Sequence, residues 1–274
     1  MDKYTVYNEI GKGTYGVVYL AYDQLHNRPV AIKRLFQRVD SIEQCKAMRE
    51  VQILSECKHP NIIQLYEIIK ETNNCFFIFE YIPENLLEYQ NQLSCPLTVD
   101  YLHQHNYIHR DIKPENILIY KYKIKLCDFG LTRSIYSRPP YTDYISTRWY
   151  RAPELLLKSI VYSTSVDIWA IGCVFVELLQ QKPFLPGENE MDQLYKITAV
   201  LGSPKKGIWD QGEELANNLH FSFPDFECTF QEVFKQYPSE IQDLLRHIFI
   251  WNPQERYTTY ELLRHSFFKE CYSE

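Results

Sequence analysis

The chain lacks an excess of basic charge: 29 Lys and Arg against 35 Asp and Glu leave a formal net charge of -6. A surface built for non-specific nucleic-acid binding is thereby excluded, and no nucleic acid is expected as a partner. Metal-type cysteine spacing is missing too. The eight cysteines, at 45, 57, 75, 95, 127, 173, 228 and 271, contain no C-x-x-C pair. That sets aside a structural zinc and predicts reduced thiols in a cytoplasmic or nuclear protein. No apolar run reaches membrane length, since the longest, Ile168 to Leu179, is short and interrupted by Glu177. Met1-Asp2-Lys3-Tyr4 opens without the apolar stretch of a signal peptide, so neither a leader nor a membrane partner is expected. Internal repeats and low-complexity tracts are also absent. What is present is 274 residues, 45 % hydrophobic, enough for one large domain or two lobes.

Short β-type runs dominate the first eighty or so residues: Tyr4 to Tyr7, Gly16 to Ala21, Val30 to Leu35, Ile62 to Ile69 and Cys75 to Glu80. They predict an antiparallel sheet. One helix interrupts it, about Ser41 to Cys57, where Cys45, Met48, Val51, Ile53 and Leu54 recur near the helical period. After Tyr81 the pattern turns helical, most clearly over Ser165 to Gln180, Glu190 to Leu201, Pro238 to Ile250 and Thr258 to His265. The stretch Ser203 to Tyr237 reads as a looped insert.

Five short motifs follow one another along this pattern. They are Gly11-Lys12-Gly13-Thr14-Tyr15-Gly16-Val17-Val18, Val30-Ala31-Ile32-Lys33, His109-Arg110-Asp111-Ile112-Lys113-Pro114-Glu115-Asn116, Asp128-Phe129-Gly130 and Ala152-Pro153-Glu154. Alone, the glycine motif is weak, because dinucleotide-binding folds carry it as well. There a strand runs into a helix; here Gly16 precedes the β-branched run Val17 to Ala21, which should return as a strand. A hairpin over nucleotide phosphates is the better reading, with a functionless glycine turn as its alternative. Lys33 ends a strand and should hold the α- and β-phosphates, with Glu50 on the neighbouring helix orienting it. Asp111 would accept or orient the proton of a substrate hydroxyl while Lys113 neutralises charge on the migrating phosphoryl group. Asn116 and Asp128, on either side of a tight turn, can present hard oxygen ligands to Mg2+.

The ordered series resembles the eukaryotic protein kinases, and Lys113-Pro114-Glu115-Asn116 is similar to their serine/threonine members. The resemblance implies an α+β, bilobal kinase fold over residues 1–274. The N-lobe (1–80) would hold an antiparallel β-sheet plus one helix, and the C-lobe (81–274) would be mainly helical. A hinge near 80–83, an activation segment at 128–154 and an insert at about 203–237 complete the layout. It further implies ATP as cosubstrate, in a pocket where Ile10, Val18 and Ala31 cover one face of adenine and Leu118 the other. Phe79 would be gatekeeper, Glu80 and Ile82 would offer hinge backbone bonds, and Cys127 would border the pocket. Gly11, Lys12, Gly13, Thr14, Tyr15, Gly16 and Val17 would lie over the phosphates, and Thr147 would join Asp111, Lys113, Lys33 and Glu50 as a catalytic residue. Thr14 and Tyr15 match positions that cyclin-dependent kinases use for inhibitory phosphorylation.

Pro140 to Glu154 resembles the T-x-Y activation segment of the cyclin-dependent and mitogen-activated branch, and its Thr-Asp-Tyr form is similar to the male germ cell-associated and ciliogenesis-associated kinases. Phosphorylating Thr142 would place about -1.5 to -2 charge opposite Arg49, Arg110 and Arg133, and phosphorylating Tyr144 would do so near Arg148 and Arg151. Such pairing would order the loop and align Asp111 and Glu50. Arg151 also resembles the branch's arginine that leaves a pocket favouring proline after the target residue. Protein substrates with Ser/Thr-Pro sites and an upstream activating kinase are the implied partners. The helix around Arg49 and Glu50 lacks a cyclin-reading sequence, so no cyclin is expected; the chain is expected to be a monomer, with the cilium or flagellum a further place of action.

One departure stands out. Glu80 and Asp111 are 31 positions apart, about fourteen fewer than the family usually shows, or about 21 Å of helix. Only Leu97 to Asn106 can supply the helix before the catalytic loop, with Leu102 and Val99 facing the core. Losing those turns is expected to expose the apolar face of Ser165 to Gln180. A lost stretch of coding sequence is the first account of the gap and a degenerate kinase the second. Two function classes stay open: an active kinase, and a catalytically impaired, kinase-shaped interaction protein.

Overall fold

A computed structural model describes residues 1–13, 15–86, 95–121, 123–137 and 147–269. In chain order the first elements are β1 (Tyr4–Lys12), β2 (Gly16–Asp23), β3 (Arg28–Leu35), α1 (Ile42–Lys46), α2 (Arg49–Glu56), β4 (Leu65–Glu71), β5 (Asn74–Glu80) and β6 (Glu84–Asn85). Then come α3 (Cys95–Gln104), β7 (Tyr107–Ile108), β8 (Ile117–Tyr120), β9 (Lys123–Leu126) and β10 (Arg133–Ser134). The remainder is helical: α4 (Pro153–Leu156), α5 (Ser165–Gln180), α6 (Glu190–Leu201), α7 (Asp210–Asn218), α8 (Phe230–Phe234), α9 (Ser239–Ile248), α10 (Thr259–Arg264) and α11 (Ser266–Lys269). No described helix is long and apolar enough to cross a membrane.

These elements form two compact units, 1–89 with 114–132, and 90–113 with 133–274. The boundary expected at 80 therefore moves, and 114–132 joins the N-terminal residues. Backbone pairing explains it: β6 pairs with β8, β8 with β9, and the Ile63 N–H donates to the Leu126 carbonyl at 3.0 Å.

In the first unit the predicted strands make a five-stranded sheet of order β1-β2-β3-β5-β4, antiparallel throughout. Alternation along β3 buries Val30 and Ile32 in a small core with Tyr4, Ala21 and Ile78. Ala31 and Lys33 consequently point to the opposite face, where the register sets Val18 and Phe77 beside Lys33 and Phe79 beside Ala31. The helix expected over Ser41 to Cys57 is two helices. Ala47 closes α1, and Met48 is extended (φ -64°, ψ 138°) before α2 begins. Cys45 of α1 and Cys75 of β5, both fully buried, are joined as a disulfide, which corrects the expectation of reduced thiols for this pair.

In the second unit α5 and α6 span the residues the helical periodicity marks, whereas the supposed looped insert contains α7 and α8. The helix before the catalytic loop is α3, with Val99 and Leu102 fully buried. The expected exposure of α5 does not occur, since every residue from Ser165 to Glu177 is buried. α3 packs on α5 and α10, and Phe267 of α11 lies 5.5 Å from Phe175 of α5. Glu177, the charge inside the apolar run, accepts a 2.7 Å hydrogen bond from the Tyr150 hydroxyl, which satisfies its burial.

Candidate active site

In the first unit, β1 runs to Lys12 and the chain returns as β2 from Gly16, strand to strand as expected for a phosphate-covering hairpin. The Gly13 N–H donates to the Gly16 carbonyl at 3.0 Å. A Cβ on Gly16 would stand 2.4 Å from the Arg34 carbonyl oxygen, so only glycine fits that close approach to β3. Thr14 lies outside the described residues, and Tyr15 is exposed. Gly11, Lys12 and Val17 are in place, Val17 turned into the core and Lys12 to solvent.

Below this hairpin Lys33 Nζ donates to both oxygens of Glu50, at 2.9 and 2.8 Å, and to Asp128 Oδ1 at 3.2 Å. Burial alone would lower the lysine's pKa, but the carboxylates of Glu50 and Asp128 outweigh it and hold the ammonium well above its ordinary value. Asp128 has a left-handed backbone (φ 59°, ψ 70°) that turns β9 into the single helical turn Phe129–Leu131. That turn packs against α2, with Phe129 fully buried. The Cys127 N–H donates to the Asn116 carbonyl at 2.9 Å, so Asn116 and Asp128 leave neighbouring arms of the β8–β9 hairpin. Ala31, Val18 and Leu118 are each half-buried, Phe79 is buried and Ile10 exposed. Ile82 follows β5 with a half-buried side chain. The Glu80 N–H donates to the Gln64 carbonyl at 3.0 Å.

In the second unit the catalytic-loop sequence is held by a residue given no role above. Asp167, at the start of α5, accepts the backbone N–H groups of His109 and Arg110, each at 2.8 Å, and lies 2.9 Å from His103 Nε2. These bonds fix the strained turn at Arg110 (φ 72°). They also hold the buried Asp167 carboxyl below the usual carboxylate range: burial pushes it up, and the His103 hydrogen bond leads the groups that outweigh it. His103 carries no sequence signal, because it meets Asp167 across 64 residues. Downstream, Lys113 Nζ lies 2.9 Å from Asp111 Oδ2. A small cavity gathers Asp111, Arg110, Thr147, Tyr150, Arg151 and Leu155.

Thr142 and Tyr144 lie outside the described residues. Among the arginines expected to face them, Arg133 pairs in register with Ile108 through β10 and β7, and the Arg110 guanidinium sits 5.4 Å from the Tyr162 ring. Arg148 Nε lies 3.1 Å from Glu190 of α6, a partner 42 residues away that spacing could not reveal. Arg151 is buried, and Arg49, the first residue of α2, is exposed.

Asp243, His247 and His265 also converge. The Phe267 N–H donates to His265 Nδ1 at 3.2 Å, which makes Nε2 the protonated ring nitrogen, donating to Asp243 Oδ2 at 2.9 Å. The cluster is a hydrogen-bonded joint between α9 and the end of α10, with its ring proton placed where a metal ion would need a lone pair.

Residues 4–268 match the protein kinase domain family. Cyclin-dependent kinase F-4 of Oryza sativa subsp. japonica is 41 % identical over 286 aligned positions, covering 99 % of this chain and 62 % of that protein. Serine/threonine-protein kinase MAK of Rattus norvegicus is 39 % identical over 285 positions (98 % of this chain, 46 % of that protein), and serine/threonine-protein kinase ICK of Mus musculus is 40 % identical over 287 (98 % and 45 %). The chain belongs to the protein kinase family. Within it, the chain falls among the cyclin-dependent-like and MAK/ICK serine/threonine kinases, and it spans roughly half of the length of the relatives it matches. All three alignments are longer than the 274 residues of the chain, so the relatives carry positions that have no counterpart here.

Proposed function

We propose that this chain is an ATP- and Mg2+-dependent, proline-directed protein serine/threonine kinase, activated by phosphorylation at Thr142 and Tyr144. The observation that carries the reading is the ion triad of buried Lys33 and Glu50 with the half-exposed Asp128. A lysine held by two carboxylates keeps its charge and a fixed direction, which is what orienting a triphosphate requires. Asn116 and Asp128 supply hard oxygen donors from adjacent arms of one hairpin, and the Asp128 side chain is 40 % exposed, which suits a hydrated divalent ion. Mg2+ bound there would neutralise charge on the phosphate oxygens.

The remaining steps belong to the chain's own groups. Asp111 would take the proton of the Ser or Thr hydroxyl as its oxygen attacks the γ-phosphorus. Lys113, already beside Asp111, offers positive charge to the transferring group. Arg151, in the cavity with Asp111, would turn the site toward a proline after the target residue. The interaction-protein alternative rested on the shortened helix before the catalytic loop; that helix is α3, and the α5 surface it was expected to uncover is buried.

The test is phosphate transfer from Mg2+-ATP to a Ser-Pro peptide and to its Ser-Ala counterpart. Transfer favouring Ser-Pro by about tenfold or more, worth about 1.4 kcal/mol, supports the reading. Absence of transfer to either peptide after phosphorylation at Thr142 and Tyr144 overturns it.

A further inference from the structure

We propose that the Cys45–Cys75 pair is an oxidation-dependent clamp on the Lys33–Glu50 ion pair: joined, it holds the helix carrying Glu50 against the sheet carrying Lys33. The inference extends the kinase reading to its regulation and rests on that reading for its effect on turnover. Three observations converge on it. First, Glu50 is the second residue of α2, and the residue before that helix, Met48, makes no side-chain capping bond. The N-terminus of α2 adjoins the short α1, whose Cys45 carbonyl accepts the Met48 N–H at 3.1 Å. Second, α1 is itself only five residues long, and its buried residue is Cys45. Third, Cys75 is the second residue of β5, the strand that pairs with β3 and places Phe77 opposite Lys33.

These links close a ring. It runs from Lys33 across the β3–β5 ladder to Phe77, along β5 to Cys75, through the sulfur bridge to Cys45, and through α1 and α2 to Glu50, which returns to Lys33 at 2.8 Å. Every other link is a set of hydrogen bonds, ion pairs or main chain within one compact unit. The sulfur bridge is the link that a change of redox state can open.

Joining the two thiols releases two protons and two electrons, and glutathione disulfide can take up both. One cysteine thiolate attacks a sulfur of glutathione disulfide and expels one glutathione; the second cysteine then displaces the other from the mixed disulfide. Two thiols become one disulfide and two glutathiones leave. Both cysteines are fully buried, so exchange in either direction requires α1 to open from the sheet first.

The experiment equilibrates the full chain with glutathione disulfide or with a dithiol reductant. It then reads three quantities: the 45–75 linked peptide after alkylation, hydrogen exchange of amides 49–56, and phosphate transfer to the Ser-Pro peptide. The expected result is a linked peptide in the oxidised sample only, exchange over 49–56 about tenfold faster after reduction, and severalfold lower turnover in the reduced form. Cys45→Ala should give the reduced-form exchange in both conditions; if that variant fails to fold, the wild-type comparison still decides. Absence of the linked peptide, or equal exchange over 49–56 in the two states, overturns the clamp. Linked peptide and slowed exchange without transfer in either state would leave the clamp standing and remove the kinase reading.

Discussion

Asp167 shows how a side chain remote in sequence sets the backbone of the candidate catalytic loop. Its carboxylate is buried and acts through two main-chain N–H groups and one imidazole. Because its folded pKa lies below the unfolded value, Asp167 contributes stability at neutral pH, and that contribution is lost as the pH falls below the ordinary aspartate range. Asp167→Asn should therefore cost about 1 to 3 kcal/mol in urea unfolding at pH 7. The difference from wild type should shrink as the pH is lowered below about 4. At the candidate site itself, Asp111→Asn should reduce kcat by about 10² to 10⁴ while nucleotide affinity, read by calorimetry, stays near wild type. Lys33→Met should lower both, because it leaves two buried or half-buried carboxylates without their cation.

Elements were legible in the sequence to the extent that their cause was local. Ser165–Gln180 and Glu190–Leu201 announce themselves because apolar residues recur at the helical period, and Asn189 caps the second with bonds to Met191 and Asp192. The break between α1 and α2 carries no proline or glycine, so no local signal marks it. The prolines and aromatics of 203–237 disguise α7 and α8, which hold their place through contacts such as the stacking of Trp209 on Trp251. The Lys33–Glu50 pair was foreseeable because family spacing encodes it. The Cys45–Cys75 bridge and the Asp167–His103 pair were not, since each is made by the fold across 30 and 64 residues. One further long-range link tests this view of elements. Arg256 donates two hydrogen bonds to Glu154 of α4, at 3.0 and 3.2 Å, and both side chains are buried. Arg256→Ala should cost about 3 to 5 kcal/mol, because it strands a buried carboxylate, and chemical denaturation would read the loss.

Across the whole molecule, α3, the helix before the catalytic loop, packs against α10, and Phe267 of α11 lies near Phe175 of α5. Leu262 of α10 is almost fully buried. Leu262→Ala should destabilise by about 2 to 5 kcal/mol, as for a core leucine; a surface-like loss below about 0.5 kcal/mol in thermal unfolding would show that α10 is dispensable cover. The first unit draws on two separated stretches, 1–89 and 114–132. During synthesis, then, that unit cannot close when its first stretch leaves the ribosome. It must wait for the hairpin Ile117 to Leu126, and the intervening residues, 90–113, which belong to the second unit, emerge in between. At about 5 to 20 residues per second the delay is a few seconds, during which Ile62, Ile63 and Leu86, whose backbones pair with Leu126 and Ile117, have no partner, and the nascent sheet is a natural client for a chaperone.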